Sequence, residues 1–172
     1  FQVMVTIGGV GFLLYYSFGS GITIRVAHFC GQRDWTGVRQ SGKAGMYILL
    51  GMAVLSSAIF FFGGEYIIRC FTSDSRVIAL SLSLILPLIL YQLGDSMQIC
   101  FANALRGTSH VMSMMWIAFV SYVVVNIPAG YLLAFPLHLG ITGLYLAFSI
   151  GLFVAAALFA VQYYRVLNKL EK

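Results

Sequence analysis

Charge is what this sequence has least of. Only 9% of its 172 residues are Asp, Glu, Lys or Arg, and just five of them are acids. An average soluble domain carries about 25% charged residues. Proline and cysteine are scarce too, at three each. Cys30, Cys70 and Cys100 have no spacing suited to a metal or a redox pair and read as small apolar residues. Paired carboxylates, a Ser/His/Asp set and a metal-spaced His/Cys cluster are all missing, so no covalent chemistry is indicated and no cofactor is expected. Gly8-Gly9-x-Gly11 is not a nucleotide loop, since no strand precedes it and no lysine follows.

What is present is apolar. Hydrophobic residues make up 60% of the chain, with a mean hydropathy of +0.94. A soluble chain of this length buries only about 60–70% of its surface on folding and cannot hide so much apolar area. The solvent for most side chains is therefore lipid. A crossing needs about 20 mostly apolar residues, and five such stretches are visible, at about 1–29, 44–64, 77–105, 111–135 and 141–164. Asp95 alone interrupts the third. Pro136, His138 and Gly140 divide the fourth from the fifth. No alternating apolar pattern suggests strands, so the expected fold is all-α, a polytopic transmembrane helical bundle.

Basic residues set the expected direction. With five crossings, one side holds Arg25, Arg33, Arg39, Lys43, Arg106, Arg165, Lys169 and Lys172, and the other only Arg69 and Arg76. Eight against two is a positive-inside bias that puts the C-terminus in the cytoplasm. The net charge of +5 is thus a topology signal and not a nucleic-acid patch. Residues 31–43 are expected as a cytoplasmic loop, and Tyr163 and Tyr164 as part of an interfacial belt. The chain opens at Phe1 inside an apolar stretch, without a basic leader, and an odd span count makes it begin outside. It is expected to be a piece of a longer protein.

One residue stands out. Asp95 is the only acid within an apolar stretch, about 16 Å along the helix from Arg106 at about 1.5 Å per residue. A carboxylate at that depth costs several kcal/mol unless paired, and such residues usually face a bundle interior or a watery path. A carboxyl there is suited to exchange a proton, and a bound Na⁺ would offset the same cost. The alternative is a structural acid paired to a neighbouring helix. Tyr91, Asp95, Gln98 and Ala102 fall on one helix face, so a phenol, a carboxylate and an amide share a stripe. Pro87, one turn earlier, is read as a structural hinge that frees a carbonyl or as a packing kink. Asn126 and Tyr122 are polar candidates in the fourth stretch, for a cavity or for contacts between helices. The three histidines lie near span ends and are assigned nothing.

Three motifs carry a family resemblance. They are Ile24-Arg25-Val26 with Gly31-Gln32-Arg33-Asp34 and Val38-Arg39; Gln92-x-x-Asp95-x-x-Gln98 with Leu105-Arg106-Gly107; and Pro128-x-Gly130-Tyr131 with Gly140-x-x-Gly143. In order and spacing they resemble the multidrug and toxic compound extrusion (MATE) antiporters. Ala27 and Ser109 stand where glycines are common in that family, and Tyr145 where Trp is frequent. The resemblance implies helices eight to twelve of a twelve-helix, two-lobe transporter. It further implies export of organic, often cationic, compounds in exchange for Na⁺ or H⁺, with Asp95 and Tyr91 matching positions thought to bind the coupling cation. The expected partners are membrane lipid, small organic cations or drugs, and the rest of the same chain. The expected location is a cell membrane, the bacterial inner membrane. A lipid-linked oligosaccharide flippase of the same superfamily is the alternative, disfavoured because no Lys or Arg lies deep within a span. A third reading is a membrane anchor or assembly subunit.

Overall fold

The computed structural model describes residues 2–71 and 73–171. Phe1 and Lys172, both used in the topology reading, lie outside the described residues. Seven α-helices and one π-helical segment account for nearly everything described: α1 (Gln2–Gly31), α2 (Trp35–Phe71), α3 (Ser75–Ser83), α4 (Ile85–Gly107), α5 (Val111–Phe119), the π-helical segment Val120–Val125, α6 (Asn126–Ala134) and α7 (Gly140–Leu170). No strand occurs among the described residues. Four helical stretches are long and apolar enough to cross a membrane: Trp35–Cys70, Ile85–Gly107, Val111–Ala134 and Gly140–Leu170. The chain is a polytopic membrane helical bundle. α1, at 30 residues, occupies the first stretch read from the sequence.

α2 departs from expectation. Hydropathy predicts a loop over residues 31–43, yet the chain turns over only Gln32–Asp34 before α2 begins at Trp35. Asp34 makes the early start: its Oδ1 accepts from the Gly37 N–H at 2.9 Å and its carbonyl from the Val38 N–H at 3.0 Å, satisfying donors that a helix start leaves orphaned. Arg33, at φ 57°, takes the left-handed turn that ends α1. At 37 residues, α2 is about 55 Å long against a hydrocarbon core of about 30 Å, so it is longer than a single crossing requires.

Two prolines disturb the helices beside α7. The stretch 77–105 is not one continuous helix, because α3 stops at Ser83 and α4 restarts at Ile85. Ser83 is four residues before Pro87, where a proline ring collides with the carbonyl and removes its donor. Pro128 does the same to Val124, and here the helix widens instead of breaking. The Asn126 N–H reaches back five residues to the Ser121 carbonyl, the bond that defines a π-turn.

The main core is built from α1, α2, α4 and α7, with Tyr15, Val26, Leu49, Cys100, Leu105 and Phe159 all buried. α4 is the central helix: α7 and α1 are its most extensive neighbours, followed by α2. Small residues permit this closeness. A Cβ on Gly107 would come within 2.8 Å of the Thr23 carbonyl oxygen, and one on Gly19 within 2.6 Å of Asn103 Nδ2. Such backbone approach drives helix association where lipid removes the hydrophobic incentive. Tyr163 belongs to this core and not to an interfacial belt. It is 1% exposed, and its hydroxyl donates to the Val38 carbonyl at 2.8 Å.

Candidate functional site

Asp95 sits halfway along α4, the helix enclosed on most sides. It is 3% exposed, and its Oδ2 has no hydrogen-bond partner. Neither ion pair found among the described residues involves it; those are Arg39–Glu171 at 3.0 Å and Arg69–Glu65 at 2.7 Å. A structural acid paired to another described helix is therefore not what is seen. Three phenols lie within reach of its charge: Tyr15 from α1, Tyr91 one turn earlier on α4, and Tyr122 from the π-helical segment. Sequence periodicity places Tyr91 on the Asp95 face but does not connect Tyr122 to it. The π-turn brings Tyr122 in. Beside it, Ser121 Oγ is buried without a partner.

A second polar group adjoins the acid. Gln92 is 1% exposed. Its Oε1 accepts from Ser56 Oγ of α2 at 2.7 Å and from the Tyr15 hydroxyl of α1 at 3.3 Å, while Tyr15 and Ser56 lie 2.6 Å apart. Three helices thus meet in one hydrogen-bonded knot a turn from Asp95. The Gln92 Nε2 is left without a partner and faces Gly11, where a Cβ would come within 3.2 Å. Gln98 is only half-buried and takes no part in this knot. Gln92 stood within the Gln92-x-x-Asp95 motif, but Tyr15 and Ser56 carried no sequence signal beyond being polar in apolar stretches.

Asn126 and Tyr122 line a groove of about 550 Å³ between α6 and α7, walled by Ile127, Tyr131, Leu144 and Phe148. Pro87 stands at the broken start of α4, and its carbonyl accepts from Ser149 Oγ of α7 at 3.5 Å. The described residues contain no group of three His, Cys, Asp or Glu able to hold a metal ion. Any small cation at Asp95 would meet one carboxylate, with the phenols of Tyr15, Tyr91 and Tyr122 within reach of its charge.

Comparison with known proteins gives a consistent picture. The family model described as MatE matches residues 1–132. The probable multidrug resistance protein NorM of Acinetobacter baylyi is 30% identical over 171 residues, covering 99% of this chain and 38% of that protein. The multidrug resistance protein NorM of Vibrio cholerae is 30% identical over 168 residues, covering 95% and 37%. This chain therefore spans less than two-fifths of the length of those relatives. Among solved structures, the eukaryotic MATE transporter AtDTX14 superposes with a TM-score of 0.87 at 21% identity, covering 98% of this chain and 39% of that one. An inward-facing multidrug resistance MATE family transporter of the MOP superfamily gives 0.85 at 14% identity, with the same coverages. At such identities these likenesses speak for the fold.

Proposed function

The chain belongs to the MatE family, and from that premise we propose that it is the C-terminal lobe of a secondary multidrug exporter, exchanging organic cations for Na⁺ or H⁺ at Asp95. The observation that carries this reading is a carboxylate 3% exposed, with an unpartnered oxygen, amid three phenols in a membrane bundle. An ionised group so placed is costly. It is relieved by a proton, by a small metal cation or by an organic cation. These compete for one charge, so that binding of one favours release of another, and competition of this kind couples two opposed fluxes. The relatives named as multidrug resistance proteins supply the class of cargo.

In this reading α1 is a fifth crossing, the N-terminal turns of α2 and the end of α7 face the cytoplasm, and the membrane is a bacterial inner membrane. Tyr91 and Tyr122 give Asp95 oxygen neighbours, and Gln98 lines the approach to it. Pro87 and the π-turn are weak points in α4 and in the α5–α6 helix, about which the lobe flexes as access alternates. The remainder of the central cavity comes from the other lobe.

The test is dye efflux from vesicles holding the full-length protein. Asp95→Asn is expected to abolish ion-driven efflux while leaving insertion and folding intact. Undiminished efflux would refute the reading. Stimulation of the wild-type protein by a Na⁺ gradient at constant pH identifies Na⁺ as the driver; dependence on a pH gradient alone identifies H⁺.

A further inference from the structure

A second cavity lies away from Asp95, between α1 and the N-terminal half of α2. Its volume is about 250 Å³, and Phe18, Gly21 and Arg25 of α1 face Ser41, Gly45 and Ile48 of α2 across it. Both sets fall at spacings of three or four, so each helix turns one continuous face to the cleft. The cleft is open at Gly21, where a Cβ would meet nothing within 4 Å. Gly45 closes its back wall, where a Cβ would come within 2.5 Å of Ile22 Cδ1. Phe18 and Ile48 at the mouth are 50% and 52% exposed, so the apolar end is left open by the described helices.

Arg25 stands at the other end. It takes no part in either ion pair found among the described residues, and its one recorded contact is a guanidinium 6.0 Å above the Phe29 ring. Its N–H donors are thus unclaimed by any described residue. Ser41, 5% exposed, lines the same cleft. A cation and a hydroxyl at the headgroup end, above an apolar slot open to the acyl chains, match an anionic amphiphile. Basic pockets between transmembrane helices on the cytoplasmic side favour lipid phosphates.

We propose that this cleft is a seat for an anionic phospholipid, whose phosphate pairs with Arg25 and hydrogen-bonds Ser41 while one acyl chain runs along Gly21 between Phe18 and Ile48. The proposal does not depend on Asp95 or on what is exported. It takes from the reading above only that this end of α1 faces the cytoplasm.

The full-length protein, reconstituted in phosphatidylcholine containing a minor fraction of phosphatidylglycerol, provides the test. The readout is the ratio of the two lipids retained on, or photo-cross-linked to, the α1–α2 region. Phosphatidylglycerol is expected to be enriched there, and Arg25→Gln to lower the enrichment about fivefold, the worth of roughly one basic residue at an anionic surface. Arg165→Gln removes the same charge elsewhere on that side and should leave the ratio unchanged. Gly21→Leu fills the slot without touching Arg25 and should reduce retention of both lipids. Equal enrichment in wild type and Arg25→Gln, or equal loss in Arg165→Gln, would overturn the proposal. So would displacement of the lipid by inorganic phosphate, which would mark a free-anion site. Cross-linking of this cleft to another helix of the full chain would overturn it as well.

Discussion

The Tyr15 hydroxyl donates to Gln92 Oε1 at 3.3 Å, joining residues 77 apart in sequence across α1 and α4. With Ser56 of α2, side chains of three helices here share one hydrogen-bonded group.

The first prediction concerns this knot. Interhelical hydrogen bonds in membranes are worth about 0.6 kcal/mol on average, up to about 1.7. Tyr15→Phe and Gln92→Leu each remove one side of the contact. Combined, they should destabilise by less than the sum of the single effects, with a coupling of about 0.5–1.5 kcal/mol. Unfolding of the purified transporter in mixed micelles measures it. Strict additivity would mean that the two side chains do not act together.

Asp95 was legible because a lone acid in an apolar stretch breaks the composition around it. The knot beside it was not. Tyr15, Ser56 and Gln92 lie on three separate stretches, and hydropathy records how each residue likes lipid, not which residues meet. The helical start of α2 was missed for the same reason, since Thr36–Lys43 is polar and a hydropathy reading ends where lipid ends. A signal was present: Val38, Gly42, Gly45, Leu49 and Ala53 recur at spacings of three and four, and all five are buried. The π-turn had a cause in view, Pro128, but sequence alone does not say whether a proline breaks a helix, as near Pro87, or widens it.

Asp95→Asn should stabilise the protein while it disables transport. The substitution keeps the shape and removes a charge whose Oδ2 has no partner in the fold. Removal of an unpaired buried charge is worth about 1–3 kcal/mol, so a higher unfolding temperature in ion-free detergent is expected. A lower one would mean that Asp95 is held by a partner in the full-length protein. The same comparison with excess Na⁺ should narrow the gap if Na⁺ occupies the site, because a ligand of the native state raises the wild-type value.

Glycine substitutions separate tight helix contacts from open surface. A Cβ at Gly143 would lie 2.7 Å from both the carbonyl carbon and the oxygen of Leu133, which are backbone atoms with no rotamer to yield. Gly143→Ala should cost about 1–3 kcal/mol by overpacking and loosen α7 from α6. At Gly51 a Cβ meets nothing within 4 Å. Gly51→Ala should be neutral or stabilise by up to about 1 kcal/mol through helix propensity. Thermal melts of the two variants side by side decide the matter, and equal effects would contradict the α6–α7 contact.

Ser109 explains one departure from the family pattern. It stands where the family often has glycine, and its φ is 63°, in the left-handed region after α4. A residue with a Cβ is strained there by about 1–2 kcal/mol relative to glycine, less the extra freedom glycine loses on folding. Ser109→Gly should therefore stabilise by about 0.5–1 kcal/mol, visible as a raised melting temperature with transport unchanged. Ser109→Val, whose branched side chain tolerates that region least, should do the reverse.

The cysteines give a direct measure of topology. Cys70 is exposed near the end of α2, Cys30 is half-buried near the end of α1, and Cys100 is buried. If α1 runs inward and α2 outward, Cys30 and Cys70 lie near opposite membrane faces. In single-cysteine variants of the full-length protein, a membrane-impermeant maleimide should label Cys70 in intact cells. It should label Cys30 only after permeabilisation, and more slowly because of its partial burial. Cys100 should stay unlabelled until the protein is denatured, since its thiol is packed against the Gly42 carbonyl at 3.7 Å. Labelling of Cys30 in intact cells, with Cys70 protected, would invert the orientation. The eight-to-two charge bias would then have to be read as arising from the parts of the transporter outside this chain.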